Sequence, residues 1–166
     1  MTGSALHALA AQVGQTLHGR NALLATAESC TGGWIAKVMT DIPGSSGWFD
    51  RGFVTYSNAA KIELLGVRES TLARYGAVSA ETVAEMAVGA LQRSSAVIAV
   101  AVSGIAGPDG GTPDKPVGTV YLAWALADGS PPRIERRQFS GDRDAVRRQT
   151  VAVALQEIIN VFSQPA

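Results

Sequence analysis

The sequence predicts an α/β fold of three layers, α/β/α, with a mixed, mostly parallel sheet and an antiparallel hairpin at one edge. Stretches with apolar residues at three- and four-residue spacing alternate with short apolar runs, the pattern of helices interleaved with strands. One run, residues 96–102, is almost unbroken and suits a central strand covered on both faces. The last two strand-like segments are separated only by a Gly- and Pro-containing turn, as in a hairpin.

The first half of the chain opens with a helix over residues 4–18, where Leu6, Leu9, Val13 and Leu17 form one apolar stripe. Short apolar or β-branched runs and polar breaks define the next elements. They are a buried strand at 22–27, a helix at 34–39, a strand at 49–56 and a helix at 59–65.

The second half continues with a helix over residues 80–92, which Ser79 can cap. After the central strand, residues 103–118 are rich in Gly and Pro, which predicts a shaped loop. Two strands, 119–126 and 133–139, then form the edge hairpin, and Asp142 can cap a long final helix with a broad apolar face. Ligands are expected near the strand ends of such a sheet.

Composition indicates one compact domain spanning residues 1–166. The chain is 46% hydrophobic and 17% charged, on the globular side of the boundary with disorder. Its 14 basic residues balance its 14 acidic residues, so the net charge gives no attraction to a polyanion, and we expect no nucleic-acid partner. No apolar stretch is long enough to cross a membrane and the amino terminus does not resemble a signal peptide, so we expect no membrane partner.

Cysteine and histidine are scarce, and their scarcity limits the chemistry. Cys30 is the only cysteine, which predicts a reducing, cytoplasmic location without a disulfide. His7 and His18 are the only histidines and both fall on the first predicted helix. No His pair, Cys cluster or usual carboxylate pair predicts a metal site, and a Ser-His-Asp triad is disfavoured.

The first candidate motif, ESCTGG at residues 28–33, lies at a strand-to-helix turn. Helix-start N–H groups there would point outward and stabilise negative charge, and Ser29 occupies the place of a nucleophile. In the alternative interpretation, Ser29 or Thr31 caps the helix and the glycines only permit a tight turn. Cys30 is a second candidate nucleophile, but without a histidine to activate it we favour a buried small side chain.

A serine nucleophile needs a base, and the second motif, YSNAAK at residues 56–61, offers one. Lys61 lies one helical turn from Ser57 and Asn58 and can point back toward the strand end. As a base it must titrate near neutrality instead of at about 10.4, which burial beside a cation could achieve. The alternative is a solvated helix lysine. Tyr56 and Lys61 miss the spacing of short-chain dehydrogenases by one position, and no dinucleotide glycine motif follows a strand, so hydride transfer is rejected.

Two further segments could bind a ligand. SGIAGPDGG, residues 103–111, starts where the central strand ends, so Ser103 would face the crevice; it lacks the lysine of an ATP-binding loop, and a structural loop is equally compatible. Arg143, at the start of the last helix, could hold a phosphate or be a plain surface arginine. Five nearby arginines are interleaved with carboxylates, which favours a solvated face over RNA binding.

These four motifs, ESCTGG, YSNAAK, SGIAGPDGG and GDR at 141–143, together resemble the C-terminal domain family of the competence-damage-inducible protein CinA. The resemblance spans nearly the whole chain, and four motifs in order are far more specific than any one. Active members of the family are nicotinamide-nucleotide amidases. The family's separate N-terminal domain has no counterpart here, so we do not expect its activity.

The resemblance implies hydrolysis of the carboxamide of nicotinamide mononucleotide to nicotinate mononucleotide and ammonia, without a cofactor, in pyridine-nucleotide recycling. It implies Ser29 as nucleophile, Lys61 as base and Tyr56 as a hydroxyl that relays or orients the proton. The substrate-binding residues would be Thr31, Gly32, Gly33, Asn58, Ser103, Gly104 and Arg143, with N–H groups near Thr31 and Gly32 at the oxyanion. A homo-oligomer, with a dimer favoured, is expected.

Two other functions stay open at this point. One is a catalytically silent nucleotide-binding or protein-interaction module that retains the cleft, because fold membership does not prove turnover. The other is an amidase or esterase that acts on a different small substrate.

Overall fold

The computed structural model describes residues 1–164 and contains one five-stranded sheet flanked by helices. The strands are β1 (Leu24–Glu28), β2 (Phe49–Val54), β3 (Ile98–Gly104), β4 (Thr119–Leu126) and β5 (Arg133–Gln138). The helices are α1 (Gly3–His18), α2 (Trp34–Thr40), α3 (Asn58–Leu65), α4 (Glu69–Tyr75), α5 (Ala80–Gln92) and α6 (Arg143–Ser163), with a short 3₁₀ turn at Ser45–Gly47.

The sheet has the strand order β2-β1-β3-β4-β5. β1 pairs in parallel with β2 and with β3, whereas β4 is antiparallel to both β3 and β5. Four strands therefore run in one direction, and only β4 opposes them. This arrangement confirms the predicted mixed sheet, with 96–102 in the central strand and the last two strands as an edge hairpin.

The two faces of the sheet carry side chains of different size. One face presents large aliphatic residues to α1, α2 and α6, among them Leu24, Ile98 and Leu122. The opposite face presents alanines under α5: Ala25, Ala27, Ala99, Ala101, Ala123 and Ala125. Because alternate residues of a strand point to opposite faces, each strand contributes large side chains to one face and alanines to the other. The predicted three layers are thus present.

Helix caps agree with the sequence, but some boundaries do not. Ser79 and Asp142 accept hydrogen bonds from the N–H groups of Thr82 and Ala145, as predicted for caps. Helix α4 was missed because its seven residues bury too little to show a periodic pattern. Strand β2 ends at Val54, two residues before the predicted end, because the chain turns there into α3. Strand β3 extends to Gly104, into the predicted loop, because β4 pairs with it that far.

Within residues 1–164, no helix is long and apolar enough to cross a bilayer.

Candidate active site

The carboxyl ends of three parallel strands open onto one cavity of about 300 Å³. Ser29 directly follows β1, Tyr56 lies two residues after β2, and Ser103 is the penultimate residue of β3. These ends are held together by the sheet itself, since the N–H of Ser29 donates to the carbonyl of Val102 at 3.1 Å. The cavity is lined by Ser29, Cys30, Tyr56, Lys61, Ala77, Val78, Ser103, residues 104–107, Asp109, Gly110 and Arg143.

Lys61 is the most unusual side chain of the cavity, because it is only 1% exposed. Helix α3 starts directly after Ser57, whose hydroxyl caps it, and this start aims Lys61 back at the strand ends. The Nζ atom of Lys61 lies 3.0 Å from the Oγ of Ser29, 2.8 Å from the carbonyl oxygen of Thr55 and 3.3 Å from that of Tyr56. The interpretation of Lys61 as a solvated helix lysine is therefore wrong.

The surroundings of Lys61 favour its neutral amine. Burial lowers the pKa of Lys61, and no carboxylate forms a salt bridge with it within residues 1–164. The predicted cationic neighbour is not among the causes of this shift. A neutral amine has two hydrogens, which the Thr55 and Tyr56 carbonyls can accept, and one lone pair, which is then left for the Ser29 hydroxyl proton.

Glu28 accepts the hydrogen bonds of the N–H groups at the start of α2. Its carboxylate is fully buried and accepts hydrogen bonds from the Thr31 hydroxyl at 2.5 Å and from the N–H groups of Ile35 at 2.9 Å and Ala36 at 3.1 Å. Burial raises the pKa of Glu28, and these hydrogen bonds oppose the rise. The expectation that helix-start N–H groups point outward to bind charge is wrong, because Glu28 accepts them, and neither Ser29 nor Thr31 caps α2.

The glycines of the first motif shape the turn and do not line the cavity. Gly32 and Gly33 adopt φ values of 61° and 101°, a region that side chains disfavour. The N–H of Gly32 donates to the Ser29 carbonyl at 3.0 Å, so it is not available to an oxyanion as expected. The Thr31 side chain and the exposed Asn58 also lie outside the lining.

Cys30 lines the cavity but is a poor nucleophile. Burial, reinforced by the charge of Glu28, raises the pKa of its thiol to about 12. A thiol with this pKa stays protonated near neutrality, and only the thiolate attacks readily. The prediction of a buried small side chain is confirmed, because Cys30 is 6% exposed.

Tyr56 and Arg143 form the outer rim of the cavity. The Arg143 guanidinium donates to the Tyr56 hydroxyl at 3.1 Å and to the Gly107 carbonyl at 2.7 Å. The Tyr56 ring is exposed, and within residues 1–164 its hydroxyl bonds to neither Ser29 nor Lys61. Tyr56 instead contacts Lys61 through its backbone carbonyl.

Ser103 and Gly104 form the floor of the cavity. Ser103 is 1% exposed and sits opposite Tyr121 in the sheet. A Cβ atom on Gly104 would come within 2.6 Å of the Val120 side chain and 2.9 Å of the Thr119 carbonyl oxygen. Glycine is therefore required where β3 passes into the loop, and it lets β3 and β4 approach closely at the floor of the cavity.

Sequence reasoning missed two residues of this region, Glu28 and Arg147. Glu28 stood inside the first motif, and its position as the last residue of a buried strand was the signal that could have found it. Arg147 lies 116 residues after Thr31 in the chain and binds the backbone of the nucleophile turn, a contact that no local pattern encodes.

The two other kinds of site considered from the sequence are a metal site and a basic RNA-binding face. Among the described residues, no three His, Cys, Asp or Glu side chains gather as they would around a metal ion. Three arginines near the carboxyl terminus form ion pairs: Arg133 with Glu135 and Glu157, Arg137 with Glu135, and Arg148 with Asp144, as in a solvated face.

A buried amine beside a serine hydroxyl, at the carboxyl edge of a mixed sheet, defines the class of protein as an α/β enzyme of the hydrolase type. The family model of the CinA C-terminal domain matches residues 6–162. The chain belongs to this family, which confirms the resemblance carried by its four motifs.

The relatives and solved structures agree with this assignment. Nicotinamide-nucleotide amidohydrolase PncC of Escherichia coli (strain K12) is 62% identical over 165 residues, which is 99% of either chain. The protein of the same name from Pseudomonas putida is 58% identical and covers 94% of this chain and 96% of its own. The crystal structure of the competence/damage inducible protein CihA from Agrobacterium tumefaciens has a TM-score of 0.92 at 45% identity, with 96% of each chain covered.

Proposed function

We propose that this chain hydrolyses the carboxamide of nicotinamide mononucleotide to nicotinate mononucleotide and ammonia. The names of its relatives support the substrate, and the 3.0 Å contact between Lys61 Nζ and Ser29 Oγ supports the chemistry. In this proposal residues 1–166 act as one catalytic domain in the cytoplasm, in pyridine-nucleotide recycling. The chain is also proposed to form a homo-oligomer, with a dimer favoured. Light scattering during size-exclusion chromatography measures the molar mass that tests this.

The first half of the reaction forms an acyl-enzyme. Neutral Lys61 accepts the Ser29 hydroxyl proton while Oγ attacks the carboxamide carbon, and the C=O electrons move onto oxygen. The N–H groups of Cys30 and Thr31 directly follow Ser29 in the chain, and in this proposal they stabilise the negative charge on the carboxamide oxygen. When the tetrahedral intermediate collapses, the C–N bond breaks and Lys61 returns its proton to the leaving nitrogen, which departs as ammonia.

Water completes the cycle. Lys61, neutral again, takes a proton from water as the water oxygen attacks the ester carbon, and Ser29 leaves with that proton. The positively charged pyridinium ring helps to hold Lys61 deprotonated, since like charges disfavour each other. Arg143 contacts the substrate phosphate in this proposal, with Tyr56 beside it, while Ser103 and Gly104 shape the floor under the ring.

The Ser29 and Lys61 assignments are tested by alanine substitution. Ser29→Ala removes the nucleophile and Lys61→Ala its base, so ammonia release from nicotinamide mononucleotide should fall by roughly 10³-fold or more in each. Lys37→Ala is the matched control, because Lys37 is exposed and pairs only with Asp41. Near-normal turnover in both site variants would refute the mechanism. Substrate binding without ammonia release in the unmodified protein would instead favour the silent nucleotide-binding module.

Arg143 is tested by selectivity. Arg143→Ala should reduce kcat/KM for nicotinamide mononucleotide roughly 10- to 100-fold and leave the lower value for nicotinamide riboside unchanged, because only the mononucleotide carries the phosphate. Arg137→Ala, an exposed arginine paired with Glu135, is the control. An equal loss on both substrates would contradict the phosphate role. Faster hydrolysis of unrelated carboxamides by the unmodified protein would point to a different small substrate.

A further inference from the structure

Arg147 of α6 forms hydrogen bonds with the turn that carries Ser29. Its Nε donates to the Cys30 carbonyl at 3.0 Å and its Nη2 to the Thr31 carbonyl at 3.1 Å. Gly32 is favoured by its φ of 61°, and a Cβ there would only make ordinary van der Waals contact with Nη2 at 3.5 Å. The guanidinium also stacks on the ring of Trp34, with 5.4 Å between its carbon and the ring centroid. Three fixed contacts hold a planar cation against one tight turn.

The charge of Arg147 is not cancelled at short range. Within residues 1–164 no carboxylate forms a salt bridge with it, whereas the adjacent Arg148 pairs with Asp144 at 3.0 Å. The field of Arg147 reaches the turn: it is one of the charges that oppose the burial-driven rise of the Cys30 pKa. An unpaired, half-buried guanidinium therefore acts on the peptide groups next to Ser29.

Two hydrogen-bonded paths lead from Arg147 to the N–H groups beside the nucleophile. The Thr31 carbonyl belongs to the peptide whose N–H, on Gly32, donates to the Ser29 carbonyl at 3.0 Å. That carbonyl in turn belongs to the peptide that carries the N–H of Cys30. The second path is shorter, since the Cys30 carbonyl bonded to Nε shares its peptide with the N–H of Thr31.

Both paths end on donors that no protein oxygen accepts, and the Cys30 N–H has only its own thiol as a protein partner. Within residues 1–164, no backbone or side-chain oxygen accepts the N–H of Cys30 or of Thr31. Hydrogen bonding at a carbonyl increases the positive charge on the N–H of the same peptide, and successive bonds in a chain reinforce each other. The two unpaired donors are thus the ones that Arg147 strengthens.

Building on the proposed function, we propose that Arg147 is a positioning residue that orients and polarises the N–H groups of Cys30 and Thr31, which form the oxyanion site beside Ser29. Its charge acts through two peptide relays without touching the substrate. These donors belong to the turn before α2. The first N–H groups of α2 itself are not available, because Glu28 and the turn already accept them. The contribution is largest when negative charge develops on the substrate oxygen, so it lowers the barrier and leaves ground-state binding unchanged.

The test compares Arg147→Met, Arg147→Lys and the matched control Arg148→Met. Arg148 is the neighbouring residue of α6 and also stacks on Trp34, but it bonds to Asp144 and not to the turn. For nicotinamide mononucleotide, Arg147→Met should lower kcat roughly 10- to 100-fold with KM unchanged. Arg147→Lys keeps the charge but cannot span two carbonyls, so it should recover part of the loss. Arg148→Met should match the unmodified protein.

A second measurement does not depend on the substrate. An alkyl fluorophosphonate reacts with an activated serine: Ser29 Oγ bonds to phosphorus, fluoride leaves, Lys61 takes the proton, and charge develops on the phosphoryl oxygen in the same oxyanion site. The final labelled fraction counts folded sites, and the rate constant reports the chemistry. Arg147→Met should label Ser29 more slowly by a factor similar to the loss in kcat, and to the same final extent.

The outcomes separate the two proposals. Slow labelling of Arg147→Met, with Arg148→Met at the unmodified rate, supports the inference even if nicotinamide mononucleotide proves not to be hydrolysed, a result that would remove only the proposed substrate. Unmodified labelling rates in Arg147→Met overturn the inference. It is also overturned if Arg147→Met lowers only the final labelled fraction, which indicates a purely structural role. If Ser29 of the unmodified protein labels no faster than in Lys61→Ala, the proposed base is refuted instead.

Discussion

In the proposed mechanism, Lys61 acts as a base because its side chain is buried without a carboxylate partner. Its amine is shielded from water and bounded by the Thr55 and Tyr56 carbonyls and the Ser29 hydroxyl. Carbonyls accept hydrogens from either protonation state, but they do not compensate the lost hydration of a full charge. The same geometry therefore lowers the pKa of Lys61 and places its Nζ atom 3.0 Å from the Ser29 hydroxyl.

The lowered pKa predicts a pH dependence of both activity and stability. The kcat/KM should rise with pH to a plateau as Lys61 loses its proton, at a pH below the ordinary 10.5. Between the folded-state pKa and 10.5 the unfolded chain binds more protons. The unfolding free energy of the unmodified protein relative to Lys61→Met should therefore increase with pH, by at most about 1.4 kcal/mol per unit. Urea unfolding at several pH values measures this difference, and a constant difference would contradict the shift.

At the scale of elements, the site depends on how closely α3 and α5 approach each other. A Cβ atom on Gly89 of α5 would lie 2.0 Å from the carbonyl oxygen of Leu65, the last residue of α3. The alanine face of the sheet beneath α5 permits such a close arrangement. Because α3 carries Lys61, the packing of α5 helps to set the distance between the base and Ser29.

This contact predicts that a Gly→Ala substitution lowers stability in α5 but not in α1. Gly89→Ala should destabilise the protein by about 1–3 kcal/mol and lower kcat, because the methyl group pushes α3 and Lys61 away. Gly3→Ala in α1 is the control: nothing lies within 4 Å of its Cβ position, so we expect at most a gain of about 1 kcal/mol and unchanged activity. Thermal unfolding and ammonia release measure both. Equal effects of the two substitutions would show that the close approach is unimportant.

At the scale of the whole molecule, both histidines lie away from the reaction centre. His7 and His18 are both on α1, and neither lines the cavity. Cys30 is buried with a thiol pKa raised to about 12. The nucleophile, base and substrate contacts proposed here are hydroxyl, amine, guanidinium and backbone groups, which act without a metal ligand.

Hydrolysis should therefore survive chelation. Ammonia release from nicotinamide mononucleotide is expected to be the same before and after incubation with EDTA, since the proposed proton transfers use Lys61 alone. The control is a zinc amidohydrolase treated in parallel, which must lose activity. An inhibition of this protein that added metal ions reverse would contradict the prediction.

The local patterns of the chain were sufficient for most of its elements and for its motifs. Apolar periodicity and caps located five of the six helices and all five strands, and turn residues marked the loops. The four motifs supplied Ser29, Lys61 and Arg143 before any coordinates. Helix α4 escaped because a short, half-exposed helix leaves no periodic signal, and strand ends shifted by about two residues because pairing partners, not local composition, determine where a ladder stops.

Sequence alone thus determined the class of fold, the candidate nucleophile and its base, because these depend on residue type and short-range spacing. Tertiary structure alone decided that burial lowers the pKa of Lys61, that Glu28 accepts the helix-start N–H groups, that the Tyr56 phenol faces Arg143, and that Arg147 bonds to a turn 116 residues away. Desolvation and hydrogen-bond pairing depend on which distant segments share a surface, and only the packed chain brings those segments together.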